Sequence, residues 1–193
     1  MPRLLLAAVL LAGCAGRPDY LAPEDDLTDA SWALVDQDST ALTLPADLLG
    51  APTLVSAVYT HCPDVCITTM ANVTRVRDAL GADTSRVQFL TVTFDPARDT
   101  PAVLRRYADT WNVGDDWRLA TGDSATVAGL MARLGIRTQT GPRRTLTDGT
   151  PTYEVAHTDK LLLIDAEGRI VETYGGTAAV PQMVADDARA LLP

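Results

Sequence analysis

The sequence contains only three cysteines and two histidines, and its basic residues are outnumbered by its acidic ones. Three cysteines are too few for a disulfide scaffold, and a chain of 193 residues does not need one. With 16 basic against 25 acidic residues, the chain lacks the clustered Lys and Arg that contact phosphates, so we expect no nucleic-acid partner. An apolar fraction of 47% argues against a disordered acidic chain. Each cysteine therefore needs its own explanation.

The first cysteine follows the main apolar run, which extends from Leu4 to Ala12 after a short basic start. This run is well short of the ~20 residues that span a bilayer, and it fits the apolar region of a secretory signal peptide. The run ends in Leu-Ala-Gly-Cys14, which resembles a bacterial lipobox. The resemblance implies removal of residues 1–13 and attachment of lipid to Cys14. The alternative is a secreted protein that is cleaved near Ala15 and carries a free thiol.

The residues after this signal predict a tether and then one folded domain. Residues 14–29 contain two prolines and many acidic side chains, so we predict a solvated, lipid-anchored tether. Residues 30–193 form the predicted domain, whose length suits a single unit. The predicted location is the bacterial cell envelope, on the extracytoplasmic face of a membrane, where disulfides can persist.

Strands and helices alternate along this domain. Hairpins are predicted at 32–35 with 41–44 and at 160–165 with 170–174, buried strands at 53–59 and 87–94, and a short strand at 118–120. One predicted helix ends at Leu80, a second begins at Thr100-Pro101, and two more cover 123–134 and 181–192. Residues 139–151 are predicted to form an exposed loop. This order predicts an α/β fold, namely a thioredoxin-like three-layer α/β sandwich with a central mixed sheet and an N-terminal hairpin.

The other two cysteines, Cys62 and Cys66, stand four residues apart after a buried strand and at the start of a helix. Residues at this spacing share one helical face, so the two sulfurs could bind one metal ion or approach disulfide distance. The helix N-terminus is expected to acidify both thiols, and Pro63 suits the first helical turn. The alternative is a pair of inert, buried cysteines that pack as small apolar groups.

Two thiolates alone leave a metal site open, so a histidine is the expected third ligand. His61 adjoins Cys62 and is expected to point away from a site that Cys62 faces. His157 precedes a predicted strand, in a loop that could reach the helix start. Two thiolates and one imidazole form a soft, three-coordinate set that suits Cu(I), whereas zinc normally requires a fourth ligand.

Three segments of the sequence resemble motifs of the Sco/SenC family. Residues 59–66 (YTHCPDVC) resemble its copper motif, and residues 95–101 (DPARDTP) resemble a second motif. The third consists of His157 followed by LLIDAEGR at 162–169. The likeness covers about residues 30–192, with the motifs in the family's order.

The resemblance implies a thioredoxin-like fold that binds one copper ion, as Cu(I), Cu(II) or both, through Cys62, Cys66 and His157. It also implies a metallochaperone that delivers copper to the CuA centre of cytochrome c oxidase, or keeps the thiols of that centre reduced. The expected partner is the CuA-bearing subunit. A disulfide between the two cysteines would exclude the metal, so oxidation would gate copper loading. The family usually has proline where this chain has Ile67, which is not a ligand position.

Two other functions stay open, although a non-enzymatic metallochaperone is favoured. One is a thiol–disulfide oxidoreductase that reduces oxidase cysteines, with Cys62 or Cys66 as nucleophile. The other is a redox or copper sensor. Asp95 and Asp99 flank a turn and could cap the following helix, whereas the family motif implies that Asp95 tunes the copper site or docks a partner.

Overall fold

An eight-stranded sheet organises residues 17–193, the part of the chain that this computed structural model describes. The predicted signal peptide and Cys14 lie outside these residues. In chain order the strands are β1 (Asp25–Asp26), β2 (Trp32–Asp36), β3 (Ala41–Leu44), β4 (Thr53–Val58), β5 (Gln88–Thr93), β6 (Trp117–Thr121), β7 (Thr138–Thr140), β8 (Arg144–Thr145), β9 (Pro151–Thr152), β10 (Val155–His157), β11 (Leu161–Ile164) and β12 (Arg169–Tyr174). The main sheet has the order β1-β12-β11-β4-β5-β6-β2-β3.

The centre of the sheet is parallel and its edges are antiparallel. β4 pairs with β5 and β5 with β6 in parallel, whereas the β2–β3 and β11–β12 hairpins add antiparallel strands on either side. Every residue of β4 and of β11 is buried, as expected for apolar strands covered on both faces. The predicted hairpins and buried strands are confirmed, with bounds that differ by a residue or two.

Four helices accompany the sheet: α1 (Val65–Leu80), α2 (Pro101–Thr110), α3 (Ser124–Arg133) and α4 (Pro181–Ala190). α1 packs against α4 and β4, while α2 and α3 pack against β6 and β2. Gly81 has φ +56° directly after α1, a conformation that glycine adopts at little cost. The Thr100 side chain accepts a hydrogen bond from the Val103 N–H and so caps α2. No helix within residues 17–193 has both the length and the apolar character needed to cross a bilayer.

The N-terminal segment differs from its prediction. Residues 17–29, which we expected to form a solvated tether, instead pack along the β12 edge of the sheet. Leu21 and Leu27 are buried, and β1 pairs with the start of β12. The Arg17 guanidinium binds the Asp165 carboxylate at 2.8 Å. The two leucines supply the apolar contact that an otherwise acidic segment needs to dock.

Residues 138–157 form a ribbon of short strands that is separate from the main sheet. Two two-stranded sheets, β7 with β10 and β8 with β9, replace the plain loop that we predicted at 139–151. The exposure of this region agrees with the prediction, since most of its residues are exposed. β10 ends at His157 and therefore connects the ribbon to the candidate site.

Candidate metal centre

The two cysteines lie at the point where the chain leaves β4 and enters α1. Cys66 is the second residue of the helix, whereas Cys62 lies in the preceding loop, where its N–H donates to the Tyr59 carbonyl at 3.2 Å. The prediction that both cysteines lie on one face of the helix, with Pro63 in its first turn, is therefore wrong, since Cys62 and Pro63 precede the helix. The pair nevertheless stays close, because the Cys66 N–H donates to the Cys62 sulfur at 3.3 Å. Both residues are free thiols.

His157 completes a three-residue group with these cysteines. One ligand atom from each of Cys62, Cys66 and His157 lies within 4.8 Å of the other two. The Nε2 atom of His157 is 3.7 Å from the Cys66 sulfur. Its Nδ1 atom is 3.1 Å from the Thr158 carbonyl oxygen, which can only accept, so Nδ1 carries the proton and Nε2 keeps its lone pair for a metal.

Aromatic rings enclose the imidazole on its apolar side. The Phe94 ring is 4.5 Å from the His157 ring, centroid to centroid, and the Tyr59 ring is 6.5 Å away in an edge-on arrangement. Phe94 and Tyr59 follow the carboxyl ends of the parallel strands β5 and β4. These contacts limit the orientations open to the imidazole, so residues at this end of the sheet help to orient the His157 ring.

Burial sets the acidity of the inner thiol. Cys66 is fully buried, while Cys62 and His157 are partly buried. Burial, assisted by the hydrogen bond with Cys62, raises the pKa of the Cys66 thiol far above its usual range. The predicted acidification is therefore wrong for Cys66, because burial disfavours the charged thiolate. A cation in the site would restore the thiolate, so metal binding is expected to release a proton.

Asp99 holds the loop that carries Cys62. Its carboxylate is fully buried and accepts hydrogen bonds from the Thr60 N–H at 3.0 Å and from the Thr93 hydroxyl at 2.6 Å. The Thr60 hydroxyl donates to the same carboxylate. Asp99 does not cap α2, since Thr100 does so. The sequence gives no sign of this positioning role, because both threonines lie outside the motif that contains Asp99.

The Asp95 carboxylate interacts with two other side chains. Its carboxylate forms an ion pair with Arg98 and accepts a hydrogen bond from the Tyr153 hydroxyl at 2.7 Å. It is buried and lies outside the three-residue ligand group, and it does not cap α2 either. Arg98 stacks over Tyr153 and also lies 5.5 Å from the Tyr59 ring, so Asp95 reaches the site only through these neighbours.

The second histidine stays outside the group, as predicted. His61 is exposed, with 49% of its side chain accessible, and its Nδ1 atom lies 3.1 Å from the Thr60 hydroxyl.

Asp159, which the sequence analysis did not single out, joins the segment after His157 to α1 through a hydrogen bond from the Thr69 hydroxyl. Its position two residues after a candidate ligand was the only signal in the sequence.

The thioredoxin-like α/β fold and the Cys–Cys–His group define a class of thioredoxin-like proteins with a candidate soft-metal site. Comparison with known proteins identifies the family. The model of the SCO1/SenC family matches residues 22–192, so the chain belongs to this family. The resemblance noted in the three motifs is thereby confirmed.

Curated relatives and solved structures agree with this assignment. A putative copper-binding protein of Stutzerimonas stutzeri is 32% identical over 113 residues, which are 58% of this chain and 52% of that protein. The mitochondrial SCO2 homolog of Mus musculus is 29% identical over 143 residues, 72% of this chain and 53% of that protein. The chain thus spans about half the length of both relatives.

Among solved structures, Bradyrhizobium japonicum ScoI with copper bound is 31% identical, with a TM-score of 0.73 and coverage of 84% of this chain and 98% of that one. Yeast Sco1 with copper bound is 25% identical, with a TM-score of 0.69 and coverage of 81% and 83%, respectively. The predicted fold class is therefore confirmed.

Proposed function

We propose that this chain binds copper through Cys62, Cys66 and His157 and acts as a copper metallochaperone. The observation that carries the proposal is the convergence of these three side chains, whose ligand atoms lie within 4.8 Å of one another. Membership of the SCO1/SenC family supports it, as do the copper-bound ScoI and Sco1 structures. The proposed recipient is the CuA centre of cytochrome c oxidase, to which the protein delivers copper or whose thiols it keeps reduced.

The donor set fits copper. Two sulfurs and one imidazole nitrogen are soft ligands that suit Cu(I), and an added oxygen ligand would suit Cu(II). Within residues 17–193 no other group of His, Cys, Asp and Glu side chains offers three ligand atoms this close together. The copper ion is cargo in this function, so the site must release it as well as bind it.

Copper loading is gated by the oxidation state of the two thiols. A bond between the Cys62 and Cys66 sulfurs would consume both thiolates and pass two electrons to an external disulfide. The oxidised protein would then keep only His157 as a ligand. Reduction by a dithiol reverses the change and restores the ligand set.

Substitution of each histidine tests the assignment, because the chain has only two. We expect His157→Ala to lose tight Cu(I) binding, measured by competition with a chromophoric Cu(I) chelator, while the exposed His61→Ala serves as the matched control and keeps it. Copper stoichiometry should approach one ion in the reduced wild-type protein and fall to background after oxidation of the thiols. Unchanged Cu(I) affinity in His157→Ala would overturn the ligand assignment.

A thiol–disulfide oxidoreductase is the second candidate, favoured by the partial exposure of Cys62 beside the buried Cys66. In that function a Cys62 thiolate attacks a partner disulfide, and Cys66 then resolves the mixed disulfide, so the partner leaves as a dithiol. His157→Ala should spare this exchange while it removes copper binding. Loss of exchange together with copper binding would speak against an independent reductase function.

We also propose the location that the N-terminal sequence indicates. Residues 1–13 act as a signal peptide, and lipid attached to Cys14 holds the domain at the extracytoplasmic face of a bacterial membrane. Mass spectrometry of the mature protein tests this directly, because lipidation adds diacylglycerol and acyl chains to Cys14. Cys14→Ser should leave the protein unlipidated, whereas an unmodified mature N-terminus in the wild type would contradict the proposal.

A further inference from the structure

We propose that Asp159 is a positioning residue that keeps His157 beside Cys66. This inference rests on the copper-binding function proposed above. The backbone of His157 lies outside the main sheet. The strand that ends at His157 pairs only with β7, in a two-stranded sheet that is separate from the eight-stranded one. Since that ribbon is largely exposed, a contact outside it must fix the His157 backbone against the helix that carries Cys66, while Phe94 and Tyr59 orient the ring.

The Asp159 carboxylate supplies that connection by joining three segments. The Thr69 hydroxyl, on α1, donates to its Oδ1 atom at 2.9 Å. The N–H and the hydroxyl of Thr177, in the loop between β12 and α4, donate to its Oδ2 atom at 2.6 Å and 2.7 Å. A single side chain thus links the segment after His157 to α1 and to the β12–α4 loop.

This clamp, formed by Asp159, Thr69 and Thr177, lies close to two of the three proposed ligands. Thr69 is one helical turn beyond Cys66, and Asp159 is two residues beyond His157. A hydrogen bond across the clamp therefore fixes the distance between the two ligand-bearing segments. The clamp explains how Nε2 of His157 comes to lie 3.7 Å from the Cys66 sulfur.

The β12–α4 loop is shaped around the carboxylate. A Cβ atom added at Gly176 would lie 2.0 Å from Oδ1 of Asp159 and 3.0 Å from the Thr69 hydroxyl oxygen, so only glycine admits the carboxylate there. The Asn72 amide on α1 donates to the Gly176 carbonyl at 2.9 Å and holds the loop in place from the other side. This close fit indicates that the carboxylate has one position.

Two variants of Asp159 separate the effect of its hydrogen bonds from the effect of its negative charge. In Asp159→Asn the amide oxygen can accept from Thr177 while the amide nitrogen donates to the Thr69 oxygen, whose own proton goes to the Val65 carbonyl at 3.0 Å. We therefore expect Asp159→Asn to keep Cu(I) affinity close to that of the wild type. Asp159→Ala removes every contact, and we expect a loss of about 10- to 100-fold, the usual effect of removing a partner that orients a ligand.

Gly176→Ala tests the clamp without changing Asp159. The added methyl group must displace the carboxylate, so we expect Cu(I) affinity to fall in the same direction as in Asp159→Ala. Asp187→Ala is the control, because Asp187 is a buried carboxylate that, like the half-buried Asp159, accepts two hydroxyl hydrogen bonds, here from Tyr20 and Tyr174, both at 2.7 Å. It should lower stability without changing Cu(I) affinity.

The measurements are Cu(I) affinity, by competition with a chromophoric chelator, and amide hydrogen exchange of the reduced, metal-free protein. We expect faster exchange at the Thr158 and Thr177 amides in Asp159→Ala and Gly176→Ala, and wild-type exchange in Asp159→Asn. Wild-type affinity in Asp159→Ala, or an equal loss in Asp187→Ala, would overturn the positioning role. If the wild type binds no Cu(I), the proposed function fails, whereas the exchange data still decide whether Asp159 holds the His157 segment.

Discussion

At the scale of single residues, the two thiols of the candidate site differ in access to solvent. Cys62 is partly exposed, whereas Cys66 is fully buried and its pKa is raised by that burial. A rise of one pKa unit lowers the thiolate fraction about tenfold, and only the thiolate reacts quickly. We predict that iodoacetamide modifies Cys62 of the reduced, metal-free protein at least about tenfold faster than Cys66, as followed by peptide mass spectrometry. Equal rates in the folded protein would contradict the structure, while equal rates in urea serve as the control.

Asp99 allows a prediction about the loop that carries Cys62. Asp99→Ala leaves the buried Thr93 hydroxyl and the half-buried Thr60 N–H without their acceptor. A buried donor that loses its partner costs about 1–3 kcal/mol, so we expect a loss of that size in the free energy of unfolding, measured by urea denaturation. Asp109→Ala, which removes only an exposed ion pair with Arg105, is the control and should change it little. A variant as stable as the wild type would show that Asp99 does not hold the loop.

The three residues of the candidate site could be predicted from the sequence, but the residues that position them could not. Cys62, Cys66 and His157 belong to chemical types that bind soft metals, and they stand in motifs that resemble those of a family. The roles of Asp99 and Asp159 depend on hydroxyl groups that lie 39 and 90 residues away along the chain. A carboxylate in such a network has no sequence pattern that separates it from a solvated one.

At the scale of secondary structure elements, Asp165 closes the turn between β11 and β12. Burial alone would raise its pKa, but hydrogen bonds from Arg169 and Arg17 outweigh burial and lower the pKa of this carboxyl below its usual value. The ionised form is therefore favoured in the folded state. Its contribution to stability is complete above the unfolded pKa of about 3.9 and is lost as pH falls through the lower folded pKa.

This linkage predicts a specific effect of pH on Asp165→Asn. The difference in urea midpoint between the wild type and the variant should be largest at pH 7 and should shrink as the pH falls below about 4. Asp186→Asn is the control, since Asp186 is exposed and pairs with Arg189 at the surface. A difference that stays constant from pH 7 to pH 2 would mean that Asp165 is not preferentially ionised in the folded protein.

Elements with local signals were predicted well, and those that depend on distant partners were not. The Thr100-Pro101 pair correctly predicted the start of α2, because capping and proline geometry are local properties. Strand β1, by contrast, exists only because it pairs with residues 169–170, and nothing within residues 25–26 indicates this. The two- and three-residue strands of the 138–157 ribbon are likewise too short to show a period of two.

At the scale of the whole molecule, the N-terminal segment and the candidate site lie at opposite ends of β4. Thr53, the first residue of β4, pairs with Ile164 beside Asp165, to which Arg17 binds. Cys62 follows the last residue of the same strand, so the length of the strand separates the two regions. Changes in the N-terminal segment should therefore alter stability without altering the candidate site.

Leu21 tests this separation, because it is fully buried and anchors residues 17–29 to the sheet edge. We predict that Leu21→Ala lowers the free energy of unfolding by about 2–5 kcal/mol, the usual cost of a buried Leu→Ala change, while Cu(I) affinity stays at the wild-type value. Leu49→Ala is the matched control, since Leu49 is 46% exposed and its truncation should cost no more than about 0.5 kcal/mol. Urea denaturation and chelator competition measure the two quantities. Equal stability of Leu21→Ala and Leu49→Ala would support the predicted solvated tether instead. A loss of copper affinity in Leu21→Ala would show that the two ends of the sheet are coupled.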